Sequence, residues 1–139
     1  MHGNVAGTWK LNFGKSTQDA PAERVYLKTV EQTDKTVKIT TKAEGVTNLF
    51  DGIQITDGKP RVTKQGDKLY RTTKASWEGA TLVLEIIDRT GRKELSPAVF
   101  YVRETWTLSP DGTVMTRFRR TGTAGKGVVD QKYVFDKQK

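Results

Sequence analysis

Two carboxylates in strand-like segments are the residues with the clearest potential for acid–base chemistry. Glu85 lies between Leu84 and Ile86 in the most apolar segment, and Glu104 lies in an aromatic-rich segment. A carboxyl group inside an apolar interior holds its proton more tightly, which suits a general acid. Two carboxylates roughly 5–10 Å apart in one cavity would suit glycoside cleavage. Glu85 and Glu104 are therefore the candidate catalytic residues of a metal-independent enzyme, of the glycoside hydrolase or the isomerase or cyclase type.

Other common catalytic arrangements are excluded by composition. The chain has no cysteine, and its one histidine is His2. Thiolate sites, zinc cages and a Ser-His-Asp triad therefore lack their residues. The glycine-rich run Gly122–Gly127 lacks the spacing of a phosphate-binding P-loop. We expect no metal and no cofactor, and the sequence leaves open whether the protein is an enzyme.

The turn Ser109–Gly112 predicts how Glu104 meets its neighbours. Proline at its second position and glycine at its fourth are typical of a type I turn. If the hairpin closes with Leu108 opposite Thr113, Glu104 lies opposite Arg117.

The strand face that carries Glu104 also carries Trp106, Arg117 and Arg119. On the exterior, this set would form a cross-strand ion pair of a few tenths of a kcal/mol. On the interior, it would line a polar pocket, with Trp106, Arg117 and Arg119 as ligand-binding candidates. Both readings remain open from the sequence.

Three further ligand-binding candidates lie in the middle of the chain. Tyr70 and Trp77, seven residues apart, are candidates for pocket walls, although core packing explains them equally well. Arg71 is a candidate receptor for a ligand carboxylate if its side chain points inward.

A repeat of two residues dominates the sequence and predicts β-strands. In Leu82–Ile87 and Phe100–Leu108, successive side chains would point to opposite faces of a strand. Turn signals recur about every ten residues, and no long segment carries a helical apolar stripe. Short links favour an antiparallel sheet that closes on itself, because closure removes exposed edges. The predicted fold is all-β, an antiparallel up-and-down barrel of about 8–10 strands.

Length and charge set broad limits on this domain. The 139 residues suit one domain over 1–139, with residues 1–4 expected to lie outside the folded part. The segment Phe13–Glu23 is predicted to form a short helix or a crossing loop.

No apolar run reaches the roughly 20 residues of a membrane span. The net charge of +8 is spread along the chain and is typical of a solubilising exterior.

The opening residues resemble a known family of barrels. Gly7 and Trp9 match the first lipocalin signature, "GTW", and "GTWKLNFGKS" with the ending "KYVFDKQK" is similar to small exported bacterial lipocalin-like proteins. The resemblance implies a barrel of the lipocalin or fatty-acid-binding-protein type, in which Trp9 closes one end beneath an arginine. Arg117, Arg119 and Arg120 are candidates for that arginine. The second lipocalin signature has no clear match.

The leading functional prediction is binding of a small hydrophobic or amphipathic molecule, including anionic ones, in the barrel cavity. The resemblance implies a secreted or periplasmic protein, although the sequence shows no signal peptide. Nucleic acid is not an expected partner. Only Thr116–Arg120, "TRFRR", interleaves basic and aromatic residues, and it is short.

Overall fold

A computed structural model describes residues 4–12, 15, 26–43, 50–64, 69–90 and 98–138. These ranges contain ten β-strands, which we number in chain order: β1 (Gly7–Leu11), β2 (Tyr26–Gln32), β3 (Thr36–Ala43), β4 (Gly52–Ile55), β5 (Arg61–Lys64), β6 (Leu69–Glu78), β7 (Thr81–Thr90), β8 (Ala98–Leu108), β9 (Val114–Thr123) and β10 (Gly127–Lys137).

All ten strands form one antiparallel sheet in the order β4-β3-β2-β1-β10-β9-β8-β7-β6-β5. Strands adjacent in this sheet are adjacent in sequence, except that β1 pairs with β10. The sheet curls, since β4 packs against β6 and the amide of Gly58 donates to the carbonyl of Ala75 at 2.9 Å. In the described residues, no ladder joins the edge strands β4 and β5. The predicted all-β, antiparallel up-and-down fold is confirmed, with one seam between these edges.

The interior is built from alternate residues of the strands, as the repeat of two predicts. Its aliphatic and aromatic side chains form one cluster, with Leu11, Trp77, Phe100 and Leu108 packed against it in partly buried positions. Trp9 is fully buried, and its Nε1 donates to the carbonyl oxygen of Val5 at 3.0 Å.

The glycine two residues before Trp9 has a structural reason. Gly7 has φ of +137°, a conformation that residues with a side chain rarely adopt. A Cβ at Gly7 would also lie 3.0 Å from Cε of Lys137, whose side chain passes close to this point. The Gly-x-Trp pattern thus leaves space for the last residue of β10 beside the indole.

The β8–β9 hairpin corrects the predicted register by two residues. Leu108 pairs with Met115 rather than Thr113, so Glu104 lies opposite Arg119 rather than Arg117. The cause is a longer loop: the amide of Ser109 donates to the carbonyl of Val114 at 2.8 Å, which leaves four residues between them. A shift of two keeps every side chain on its predicted face.

Two sequence-based predictions lie largely outside the described residues. These are the helix or loop at 13–23, where only Lys15 is described, and the status of residues 1–4, where only Asn4 is described. The described part of the chain contains no helix long and apolar enough to cross a lipid bilayer.

Candidate ligand-binding site

A cluster of charged side chains lies inside the curled sheet. We call Lys28, Glu104, Arg117 and Arg119 the inner cluster. Lys28, Glu104 and Arg117 are each 1% exposed, and the side chain of Arg119 is 16% exposed. The interior reading of this strand face is therefore the one that the structure supports.

Glu104 is the centre of the inner cluster. Its Oε2 accepts a hydrogen bond from Nε of Arg119 at 2.6 Å and forms an ion pair with the same guanidinium. Its Oε1 accepts from Nε1 of Trp106 at 3.1 Å and lies 3.9 Å from Nε of Arg117. Cross-strand pairing fixes this arrangement, since Glu104 lies opposite Arg119 and Trp106 opposite Arg117.

Lys28 reaches the inner cluster from across the barrel. It belongs to β2, which is separated from β8 by three strands of the sheet. Its Nζ nevertheless lies 5.7 Å from the centre of the Trp106 ring. The ammonium donates to Oγ1 of Thr41 at 2.9 Å, and Thr41 Oγ1 donates to Asp51 at 2.7 Å.

The positive charges of the inner cluster stabilise the ionised form of Glu104 and destabilise the protonated form of Lys28. Burial raises the pKa of Glu104, but the positive charges of Arg117, Arg119 and Lys28 outweigh burial, and the pKa lies below its usual value. Burial, followed by repulsion from Arg117, lowers the pKa of Lys28 to about 7. Glu104 is therefore an ionised carboxylate at neutral pH, and the raised pKa that a general acid requires is not found.

Arg117 lies against aromatic rings from β10. Its Cζ is 4.5 Å from the centre of the Tyr133 ring and 5.5 Å from that of Phe135. A guanidinium over an aromatic face is stabilised by the ring quadrupole, more strongly when water is excluded.

The cation beside Trp9 differs from the one expected. Nζ of Lys137 lies 5.7 Å from the centre of the Trp9 ring. Of the three candidate arginines, Arg117 contacts Tyr133 and Phe135. Arg119 binds Glu104, and Arg120 pairs with Asp130 on the outside.

Trp77 and Arg71 both point inward but differ in their surroundings. Trp77 lies opposite Leu82 in β7 and packs against the core. Arg71 binds Asp88 through two hydrogen bonds of 2.8 and 2.9 Å, and the side chain of Asp88 is 7% exposed. The guanidinium predicted to receive a ligand carboxylate is therefore bound to a carboxylate of the protein.

Tyr70 and Glu85 lie on the outer face of the sheet, away from the inner cluster. Tyr70 alternates with the inward Arg71 and pairs with Arg89 on the outer face. Glu85 lies between the buried Leu84 and Ile86, and its own side chain points outward. Glu85 and Glu104 occupy opposite faces of the sheet and do not face one another across the interior, and a catalytic role for either residue stays a prediction.

Lys28, Tyr133 and Phe135 are site residues that sequence reasoning missed. The signal for Lys28 was its alternation with Val30, a core residue two positions later. Among the described residues, no group of three or more His, Cys, Asp or Glu side chains could hold a metal ion. The inner cluster is suited chemically to hold an anion beside apolar walls.

Comparison with known proteins supports the fold and does not identify the function. The sequence matches no protein-family model and no curated protein. The structure is similar to the crystal structure of a secretary abundant heat soluble (SAHS) protein from Ramazzottius varieornatus, with a TM-score of 0.59. The similarity covers 96% of this chain and 95% of that chain at 11% sequence identity. At this identity the likeness shows the fold alone.

Proposed function

We propose that the protein binds a small amphipathic molecule inside the barrel, with an anionic head group at the inner cluster. The observation that carries the proposal is the charge balance at this site. Within the inner cluster, the cations Lys28, Arg117 and Arg119 surround one carboxylate, Glu104, while a second carboxylate, Asp51, reaches Lys28 through the Thr41 hydroxyl.

The excess positive charge supports recognition of an anion. In a region from which water is largely excluded, like charges repel one another strongly. An anionic head group would relieve this repulsion and would favour the protonated form of Lys28, whose pKa is lowered to about 7. A neutral ligand would gain neither effect.

Aromatic side chains supply the apolar part of the proposed site. Trp106 contacts Glu104 of the inner cluster, and Trp77 and Phe100 pack at the border of the core in partly buried positions. Ligand sites of barrels combine such walls with a few polar groups that fix orientation. The tail of the ligand would lie along these rings.

We infer that the protein acts outside the cytoplasm. The opening "GTWKLNFGKS" resembles that of small exported proteins, and the protein that shares the fold is described as secretary. The inner cluster, rather than this resemblance, carries the proposal of ligand binding.

The experiment compares a fluorescent long-chain fatty acid with its methyl ester, titrated into the protein and into two variants. Arg119→Gln removes one positive charge of the inner cluster while Arg117 and Lys28 still face Glu104. Lys10→Gln is the charge-matched control, because Lys10 is an exposed residue of β1.

We expect the fatty acid to bind more tightly than its methyl ester. Arg119→Gln should lower the affinity for the fatty acid by about tenfold, or about 1.4 kcal/mol. Lys10→Gln should leave both affinities unchanged. Equal affinity for the two ligands, or equal effects of the two variants, would overturn the proposal of an anionic head group. Absence of saturable binding by either ligand would overturn the binding function itself.

A further inference from the structure

The outward face of β8, β9 and β10 carries a groove that the proposed function does not use. Its central part has a volume of about 520 Å³ and is lined chiefly by Tyr101, Arg103, Phe118, Arg120 and Asp130. A smaller hollow of about 380 Å³ adjoins it at Tyr101, and another of about 310 Å³ adjoins it at Phe118. We call this surface the outer groove.

Residues from three strands meet in the outer groove. Arg103 lies opposite Arg120, which lies opposite Asp130 in the next strand. Phe118 lies opposite Lys132. The basic and aromatic segment Thr116–Arg120 is therefore extended by side chains that are distant in sequence.

Aromatic side chains lie at both ends of the central groove, an exposed Phe118 and a partly buried Tyr101. Phe118 is 51% exposed. Tyr101 lies opposite Gly122, four residues beyond Phe118 along β9. At about 3.3 Å per residue, the two rings are about 13 Å apart along the strand, a distance that a few nucleotides would span.

The residues that line the outer groove carry a net positive charge, from Arg103, Arg120 and Lys132 against one carboxylate, Asp130. Two further carboxylates lie at its border: Glu78 pairs with Arg103 at 3.3 Å, and Glu85 lies opposite Arg103 in β7. The paired carboxylate orients the guanidinium of Arg120, since Asp130 accepts hydrogen bonds from Nε at 2.8 Å and Nη2 at 3.1 Å. Cations between two aromatic faces are the combination that holds phosphates and stacked bases.

We propose that the outer groove binds single-stranded nucleic acid, with bases stacked on Phe118 and Tyr101 and the backbone beside Arg103, Arg120 and Lys132. This goes beyond the proposed ligand-binding function, because it uses the opposite face of the sheet. It also revises the expectation from sequence, in which Thr116–Arg120 alone was too short for such a site.

The strand pairing favours a nucleic acid over an acidic peptide. Extended peptides usually bind a sheet by adding a strand to an edge, where backbone donors and acceptors are open. β8, β9 and β10 are each paired on both sides. Their backbone groups are thus engaged in the sheet, and recognition must come from side chains alone. Stacking and phosphate contacts require only side chains.

The test measures binding of a fluorescently labelled single-stranded oligouridylate to the whole protein by anisotropy, over a range of salt concentrations. The same measurement uses a duplex of equal length and polyglutamate of equal charge. Phe118→Ala removes one stacking face at an exposed position. Ile53→Ala is the matched control, since Ile53 is 65% exposed on the outward face of β4.

We expect saturable binding of the single strand, weakened about fivefold or more by Phe118→Ala and unchanged by Ile53→Ala. With three cations at the phosphates, log K should fall against log salt with a slope of about −2. Tyr101→Leu, which keeps an apolar side chain over Gly122, should also weaken binding.

Several results would overturn the proposal. They are no saturable binding of the single strand, equal effects of Phe118→Ala and Ile53→Ala, or equal affinity for the duplex. Tighter binding of polyglutamate would overturn it as well and would identify an acidic protein segment as the partner. Circular dichroism of each variant excludes loss of fold as the cause of lost binding.

Discussion

The inward and outward faces of β8 and β9 use the same kinds of side chain in different surroundings. On the inward face Arg119 pairs with Glu104, whose side chain is 1% exposed. On the outward face, one residue along β9, Arg120 pairs with Asp130, and both side chains are more than 60% exposed. Water solvates the outer pair, whereas the inner pair depends on its protein partners for nearly all of its stabilisation.

The strength of the interactions of a charged side chain in this protein therefore depends on its burial, rather than on whether it forms an ion pair. The inner cluster holds unbalanced positive charge away from water, so its charges respond strongly to one another. The outer groove presents its charges to solvent, so they are available to a large polyanion at little cost to the fold.

The largest expected loss of stability comes from a substitution on the inward face of the sheet. Glu104→Gln keeps an acceptor for Trp106 but leaves Lys28, Arg117 and Arg119 without their central counter-charge. We expect the free energy of unfolding to fall by about 3–5 kcal/mol, measured by urea denaturation. Asp130→Asn, the outer counterpart, should leave it unchanged. Similar effects of the two variants would show that burial does not distinguish the two faces.

The next effect is a pH dependence that originates at Lys28. Its pKa in the folded protein is lowered from 10.5 to about 7. Between these values the unfolded chain binds a proton that the folded protein does not, so raising the pH stabilises the fold. We expect this residue to contribute about 2 kcal/mol of added stability between about pH 7 and pH 9.

Lys28→Met provides the control for this pH dependence. Urea denaturation at several pH values should show a rise in stability for the native sequence that is missing in the variant. The difference between the two curves removes the contribution of other titrating groups. Parallel curves would contradict a lowered pKa for Lys28.

The smallest effect concerns the outer pair. A double-mutant cycle with Arg120→Ala and Asp130→Ala, measured by urea denaturation, gives the coupling between the two residues in the free energy of unfolding. We expect this coupling to be small in low salt and absent in high salt, because exposed charges are screened. The equivalent cycle with Arg119 and Glu104 should retain its coupling in high salt. If salt removes both couplings equally, the inner cluster is more hydrated than its burial indicates.

The sequence by itself determined the strands and their faces. Alternation is a local property, because successive side chains of a strand must point to opposite sides. It therefore placed Glu104, Trp106, Arg117 and Arg119 on one face, and the hairpin shift of two residues left that grouping intact. The pattern around Gly7 and Trp9 likewise led to a buried indole.

Only the tertiary structure decided which face is interior and which distant residues share a site. Lys28 meets Trp106 because the sheet curls across three intervening strands, and curvature is not encoded in any short segment. Alternation also could not tell that Tyr70 and Glu85 point outward, since both faces of their strands carry apolar side chains. The physical reason is that pairing register and curvature depend on contacts between segments far apart in sequence, whereas the direction of a side chain depends on its own strand.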